Sequence, residues 1–168
     1  MASPSDASAR ALVLAIDGPA GAGKTTLATA MRLLQPSVVI HMDDLYAGWD
    51  GLEAGVAQVD EIIGALRAGA VARYRRYDWA LGAYGETVVV PESSLVIIEG
   101  VGSGGGSMRA DCVVWLDAPV DVRRERAVAR GDFGDPSDQH WDQWAALEAA
   151  HFARAQTRER ADLIIRTE

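Results

Sequence analysis

A chain of 168 residues, 49% hydrophobic and 24% charged, has the length and balance of one soluble globular domain with its own core. A net charge of -8 excludes the basic face that a nucleic-acid backbone demands, and a single cysteine, Cys112, excludes a disulfide framework or a cysteine zinc site within one chain. No apolar run reaches the roughly 20 residues that span a bilayer, and no basic-then-apolar start marks a secretory signal. A cytoplasmic protein without nucleic-acid or membrane partners is expected, acting as a monomer or homodimer.

Residues 1–10 are rich in Ser, Ala and Asp without periodicity and read as a disordered tail before one domain over residues 11–168. Residues 11–16 form a continuous apolar run, the pattern of a strand buried on both faces of a parallel sheet. A glycine loop follows, then a helix over residues 25–34 that stops before Pro36. Residues 38–41 are a second strand. Val56, Val59, Ile62, Ile63 and Leu66 fall near helical spacing and predict a helix over residues 55–68. The β-branched run at 87–90 is a minor strand, and residues 95–98 are a third core strand ending at Glu99-Gly100. A fourth strand covers 112–116, and an arginine-rich helix covers 121–130. A late helix spans 137–155, with Ser137 or Asp138 as its N-cap, and a last strand spans 163–165. The alternation predicts an α/β fold, a three-layer α/β/α sandwich around a mostly parallel five-stranded sheet.

Gly18-Pro19-Ala20-Gly21-Ala22-Gly23-Lys24-Thr25 sits between the first strand and the first helix, the context that identifies a P-loop. Glycines let successive backbone N–H groups curl around phosphate oxygens, and the helix directs its positive dipole end at the same anion. The backbone of Gly18, Gly21, Ala22 and Gly23 is thus expected to cradle the phosphates of a nucleotide. Lys24 should reach the β- and γ-phosphates, the Thr25 hydroxyl should ligate Mg²⁺, and Thr26 should add a phosphate contact. Lys24 is also the only lysine, and the chain contains no asparagine. Guanine-nucleotide switches read their base with Asn-Lys-x-Asp, so ATP is the expected donor.

Asp43 and Asp44 follow the second strand, at the carboxyl edge of the sheet beside the P-loop. A carboxylate there can take the proton of an attacking hydroxyl during phosphoryl transfer; a solvated acidic turn is the alternative. Trp49 and Trp79 flank this region and offer stacking surfaces for a planar ligand. Trp141, Trp144, Leu147 and His151 share helical spacing, for which core packing is the plainer reading. The three histidines lack metal-ligand spacing, and His140 and His151 read as surface residues of the late helix. Gly100-x-Gly102-x-x-Gly105 fits a dinucleotide-binding pattern, but about ten residues before the next strand are too few for a crossover helix. It reads as a flexible loop rimming the site.

His41-Met42-Asp43-Asp44-Leu45-Tyr46 resembles the Asp-Ser-Phe-Tyr or Asp-Asp-Phe-Phe signature of the uridine kinase and nicotinamide riboside kinase family. Tyr77-Asp78-Trp79 resembles the family's Tyr-Asp-Phe segment, and Val96-Ile97-Ile98-Glu99-Gly100 its strand ending in Glu-Gly. Trp115-Leu116-Asp117 with Arg123, Arg126 and Arg130 is similar to its fourth strand and arginine-bearing lid, here around residues 123–138. The resemblance implies a P-loop NTPase fold and a kinase using ATP and Mg²⁺ to phosphorylate a hydroxyl of a small-molecule acceptor. It makes Asp43 the general base and places Glu99 near Mg²⁺. Asp44, Tyr46, Arg76, Tyr77, Asp78 and Trp79 would lie on the acceptor side. Arg123 and Arg126 would stabilise the transferring phosphoryl group, and Arg130 would contact the ATP phosphates.

The family's Thr-His-Ser-Arg stretch is replaced here by Ala80-Leu81-Gly82-Ala83-Tyr84, which leaves the acceptor open. Ile16-Asp17-Gly18-Pro19-Ala20-Gly21 also resembles cytidylate kinases, whose nucleoside monophosphate acceptor would call on Arg73, Arg75 and Arg76. A non-catalytic ATP sensor is the alternative of another class.

Overall fold

The computed structural model describes residues 10–131 and 140–168. The expected tail lies outside them apart from Arg10, whose guanidinium pairs with Asp111. Ser137, Asp138 and the part of the expected lid beyond Gly131 also lie outside them.

The apolar run at the start becomes strand β1 (Leu12–Asp17), and the glycine loop leads into helix α1 (Lys24–Leu34). Gln35, extended before Pro36, ends that helix, because a residue preceding proline is driven out of the helical region. Strand β2 (Val38–His41) and a single 3-10 turn at Met42–Asp44 precede helix α2 (Leu52–Arg67). Strands β3 (Arg73–Asp78) and β4 (Ala83–Val89) come next, then β5 (Leu95–Glu99) and β6 (Cys112–Asp117). Helices α3 (Val120–Arg130) and α4 (His140–Ala155) lead to strand β7 (Leu163–Arg166).

The main sheet has five strands in the order β2-β5-β1-β6-β7, and every pairing is parallel. Side chains alternate across it. Val13, Ala15, Val96 and Ile98 enter one core with Val59, Ile62 and Ile63 of α2 and Trp144 of α4. Leu14, Ile16 and Ile97 enter the other with Ala28 of α1. Burial on both faces explains why these strands are continuous apolar runs. It also puts the carboxyl ends of β1, β2 and β5 on one edge, where the loops of the site emerge.

β3 and β4 form a separate antiparallel pair with a register shift between Arg75 and Tyr77. β3 was not expected, and the minor strand expected at 87–90 is the end of the longer β4. The reason is physical: in β3 only Tyr74 is buried, so Arg-Tyr-Arg-Arg-Tyr-Asp carries no apolar signal. Gln58 of α2 fixes the hairpin to the body. Its Oε1 accepts from the Arg75 N–H at 2.9 Å, and its Nε2 donates to the Leu45 carbonyl at 3.1 Å.

Ile98 is fully buried in the middle of the sheet. Ile98→Ala should cost about 3 kcal/mol and lower the thermal midpoint by roughly 10 °C, measured by circular dichroism. A shift below roughly 2 °C would mean that this core is not packed as described.

Candidate active site

The P-loop turns because its glycines adopt conformations that other residues avoid. Gly18 has φ 133°, and a Cβ there would lie 2.1 Å from the Leu116 carbonyl oxygen. Gly21 has φ 80°, and its Cβ would lie 2.4 Å from the Arg123 carbonyl oxygen. The loop is therefore seated against β6 and α3 by backbone approach. Behind it, the fully buried Asp17 carboxylate accepts N–H bonds from Gly18 at 2.7 Å, Gly102 at 2.8 Å and Gly104 at 3.0 Å. Burial pushes this carboxyl up, while the three amides and Lys24 pull it back.

Lys24 opens α1 and is buried, its Nζ donating to the Pro19 carbonyl at 2.8 Å. Burial lowers its pKa, and the carboxylates of Glu99, Asp17, Glu148 and Asp43 oppose that shift in decreasing order. The Thr25 hydroxyl lies 3.0 and 3.2 Å from the two Glu99 carboxylate oxygens. His41 Nδ1 lies 2.6 Å from Glu99 Oε1. That hydrogen bond raises His41 above the ordinary histidine value, against the effect of partial burial.

A cavity of about 510 Å³ joins these parts. It is lined by Gly21, Gly23, Lys24, Thr25 and Thr26 of the P-loop and α1, by Asp43, Tyr46, Trp49, Trp79 and Trp144, and by Glu99, Gly100 and Arg130. The Trp79 indole N–H donates to the Asp43 carbonyl at 2.9 Å, fixing the rim tryptophan to the acidic turn. Trp49 meets Trp79 edge-on with centroids 5.2 Å apart, and Tyr46 meets Trp144 at 4.8 Å. The Tyr46 hydroxyl donates to the Val101 carbonyl at 2.8 Å.

Several expected site residues stand elsewhere. Asp44 lies 3.3 Å from Arg76, which also pairs with Glu86 at 2.8 Å, and neither Asp44 nor Arg76 lines the cavity. Tyr77 packs behind Trp79 at 5.3 Å, and Asp78 caps the hairpin turn through the N–H groups of Ala80 and Leu81. Ala22 is buried and does not line the cavity, and its N–H donates to the Pro19 carbonyl at 3.2 Å. Arg123 and Arg126 bind the back of the loop. Arg123 donates to the Ala20 carbonyl at 3.0 Å, and Arg126 reaches the Gly21 carbonyl at 3.4 Å and the Thr167 hydroxyl at 3.1 Å.

Two expectations are corrected. His151 is buried, not on the helix surface, and its Nδ1 lies 2.9 Å from Glu53. It belongs to the buried stripe of α4 that includes Trp141, Trp144 and Glu148. The Gly100–Gly105 segment is not a loose rim: Asp17 holds its N–H groups, and only its first residues, Gly100 and Val101, line the cavity. Asp17, Glu148 and the His41–Glu99 pair escaped the sequence reading. Asp17 stands directly before the first P-loop glycine, and Glu148 falls four residues after Trp144. Those positions are the available signals.

Among the described residues no group of three or more His, Cys, Asp or Glu is arranged to hold a metal. A hydroxyl beside a carboxylate nevertheless fits Mg²⁺, which takes oxygen donors, keeps several waters and leans on substrate phosphates.

No protein-family model matches the chain. It is 30% identical over 146 residues to the dephospho-CoA kinase of Deinococcus radiodurans, covering 70% of this chain and 68% of that protein. A Bacillus stearothermophilus structure described as a possible uridine kinase superposes with a TM-score of 0.64 at 24% identity, covering 94% of this chain and 90% of that one. Shikimate kinase from Acinetobacter baumannii, in complex with shikimate, gives 0.58 at 18% identity, covering 98% and 88%. At these identities the two structures share the fold.

The raised His41 value predicts a pH signature. A histidine held more basic in the folded state stabilises it fully below the unfolded value of about 6.5, and the gain disappears as pH rises through the folded value. Without nucleotide, wild type should therefore melt above His41→Gln at low pH, and the two midpoints should converge at higher pH. A gap independent of pH would exclude the charged pair.

Proposed function

This chain belongs to the P-loop small-molecule kinases, the family of the dephospho-CoA kinase it matches, and from that premise we propose that it transfers the γ-phosphate of ATP to a hydroxyl of a small acceptor. The observation that carries this reading is one continuous cavity linking Lys24, Thr25 and Thr26 to Asp43 and an aromatic wall. The acceptor hydroxyl gives its proton to the Asp43 carboxylate while its oxygen bonds to the γ-phosphorus. The bond from that phosphorus to the β–γ bridging oxygen breaks, and ADP leaves. Lys24 exchanges the Pro19 carbonyl for the β- and γ-phosphate oxygens, and Arg130, on the same cavity wall, balances charge on the transferring group. Thr25 and Glu99, which are hydrogen-bonded to each other, would hold Mg²⁺, Glu99 through water. When bound, the ion neutralises phosphate charge and orients the phosphates.

The acceptor end favours a compound without phosphate. All sixteen Lys and Arg side chains lie among the described residues, and of these only Lys24, in the P-loop, and Arg130 line the cavity. Arg76 is engaged by Asp44 and Glu86, and Arg75 donates to the Tyr84 carbonyl at 2.9 Å. A monophosphate beside Asp43 and Glu99 would meet like charge. Tyr46, Trp49, Trp79 and Trp144 suit a planar ring instead. Uridine, named for one of the similar structures, combines hydroxyls with such a ring and is the natural first probe.

Asp43→Asn should lower turnover by about a hundredfold or more with ATP affinity nearly unchanged, measured by ADP release and calorimetry. Undiminished turnover would remove Asp43 from the base role. Lys24→Ala should weaken ATP binding or stop transfer, and full activity would sink the assignment. Among acceptors screened by thermal shift and product formation, cytidine should outperform CMP by at least about tenfold; the reverse order favours the monophosphate kinase reading. Tight ATP binding with no product from nucleosides, nucleotides, sugars or vitamins would mark a sensor.

A further inference from the structure

Glu148 lies one helical turn beyond Trp144, so one face of α4 gives the cavity an aromatic wall and the P-loop a carboxylate. Glu148 is 4% exposed and Arg123 8%. Glu148 Oε2 accepts the Ala20 N–H at 2.8 Å, and its Oε1 faces Arg123 Nη1 at 3.3 Å. The same Nη1 donates to the Ala20 carbonyl at 3.0 Å, and Arg123 Nε donates to the Ala118 carbonyl at 3.2 Å.

The peptide unit between Pro19 and Ala20 is thereby held at both ends. Its N–H points to Glu148, and its carbonyl accepts the Lys24 ammonium at 2.8 Å. A carboxylate at the N–H end draws electron density toward the carbonyl oxygen, so the two hydrogen bonds strengthen each other. Stability alone is a poor account of this arrangement, since a buried ion pair can often be exchanged for apolar side chains of similar volume without loss.

We propose that Glu148 and Arg123 are positioning residues that fix the Pro19–Ala20 peptide, so that Lys24 waits on the Pro19 carbonyl in reach of the incoming phosphates. The pair acts from behind the loop and touches no substrate. It lowers the ordering cost of nucleotide binding, because backbone and lysine are arranged beforehand. The inference rests on the reading that ATP occupies this loop.

Calorimetric titration of the full chain with Mg²⁺ and a nonhydrolysable ATP analogue tests it, beside thermal midpoints. Glu148→Gln, which keeps the shape and removes the charge, should weaken binding about tenfold. The double variant Glu148→Leu with Arg123→Met restores an apolar fit. Its midpoint should exceed that of either single change, which leaves one buried charge unpaired, while its affinity stays about tenfold weak. Should Glu148→Gln fail to fold, this double variant carries the test. Because Glu148 acts through Lys24, Glu148→Gln combined with Lys24→Ala should bind no more weakly than Lys24→Ala alone. Wild-type affinity in either Glu148 variant, or additive losses with Lys24→Ala, would overturn the positioning role while leaving the kinase reading intact. Failure of the wild-type chain to bind the analogue would instead overturn the kinase reading, and this inference with it.

Discussion

Three backbone N–H groups from two glycine loops converge on the Asp17 carboxylate, and the site depends on that convergence. Asp17 ends the central strand β1, so its position is set by pairing with β5 and β6 on either side. From there it holds Gly18 at the mouth of the P-loop and Gly102 and Gly104 in the loop after β5. Residues of both loops line the cavity. A neutral side chain with one acceptor oxygen could not serve three donors, and buried N–H groups without partners would each cost about 1–3 kcal/mol. The sheet thus transmits its order to the loops through one buried carboxylate.

Around this anchor the site is an arrangement of unequal charges. Lys24 is surrounded by Glu99, Asp17, Glu148 and Asp43, which together keep a buried ammonium tolerable. Under the proposed reading, phosphates would bring negative charge into a region already rich in carboxylates. The glycine loop and the start of α1 offset this with N–H dipoles that need no desolvated counter-ion. The cavity lining joins two basic groups, Lys24 and Arg130, to the rings of Tyr46, Trp49, Trp79 and Trp144.

Much of the architecture was legible because burial leaves a periodic trace. Strands buried on both faces appear as unbroken apolar runs, as β1 and β5 do. The P-loop was legible for a different reason: its turn demands glycine at fixed spacing. β3 was not legible, since its side chains are mostly solvated and its pairing depends on a partner beyond the turn. The arginines show the limit most clearly. Arg123, Arg126 and Arg130 share helical spacing, but only the tertiary fold separates Arg130 at the cavity from Arg123 and Arg126 behind the loop. Glu148 was hidden for the same reason, because its partner Ala20 is 128 positions away in the chain.

Within these 168 residues the lysine on the Pro19 carbonyl has no companion of its kind. Any reagent or modifying enzyme that attacks side-chain amines therefore has one address here, and it is the buried amine at the start of α1. Burial shields that amine from casual encounter, while its lowered basicity leaves more of it in the nucleophilic, uncharged form. Acylation would remove the charge, lengthen the side chain and fill the space beside Thr25. A protein with many surface lysines can dilute such chemistry harmlessly. Here a single acyl group would fall on the one lysine that lines the cavity.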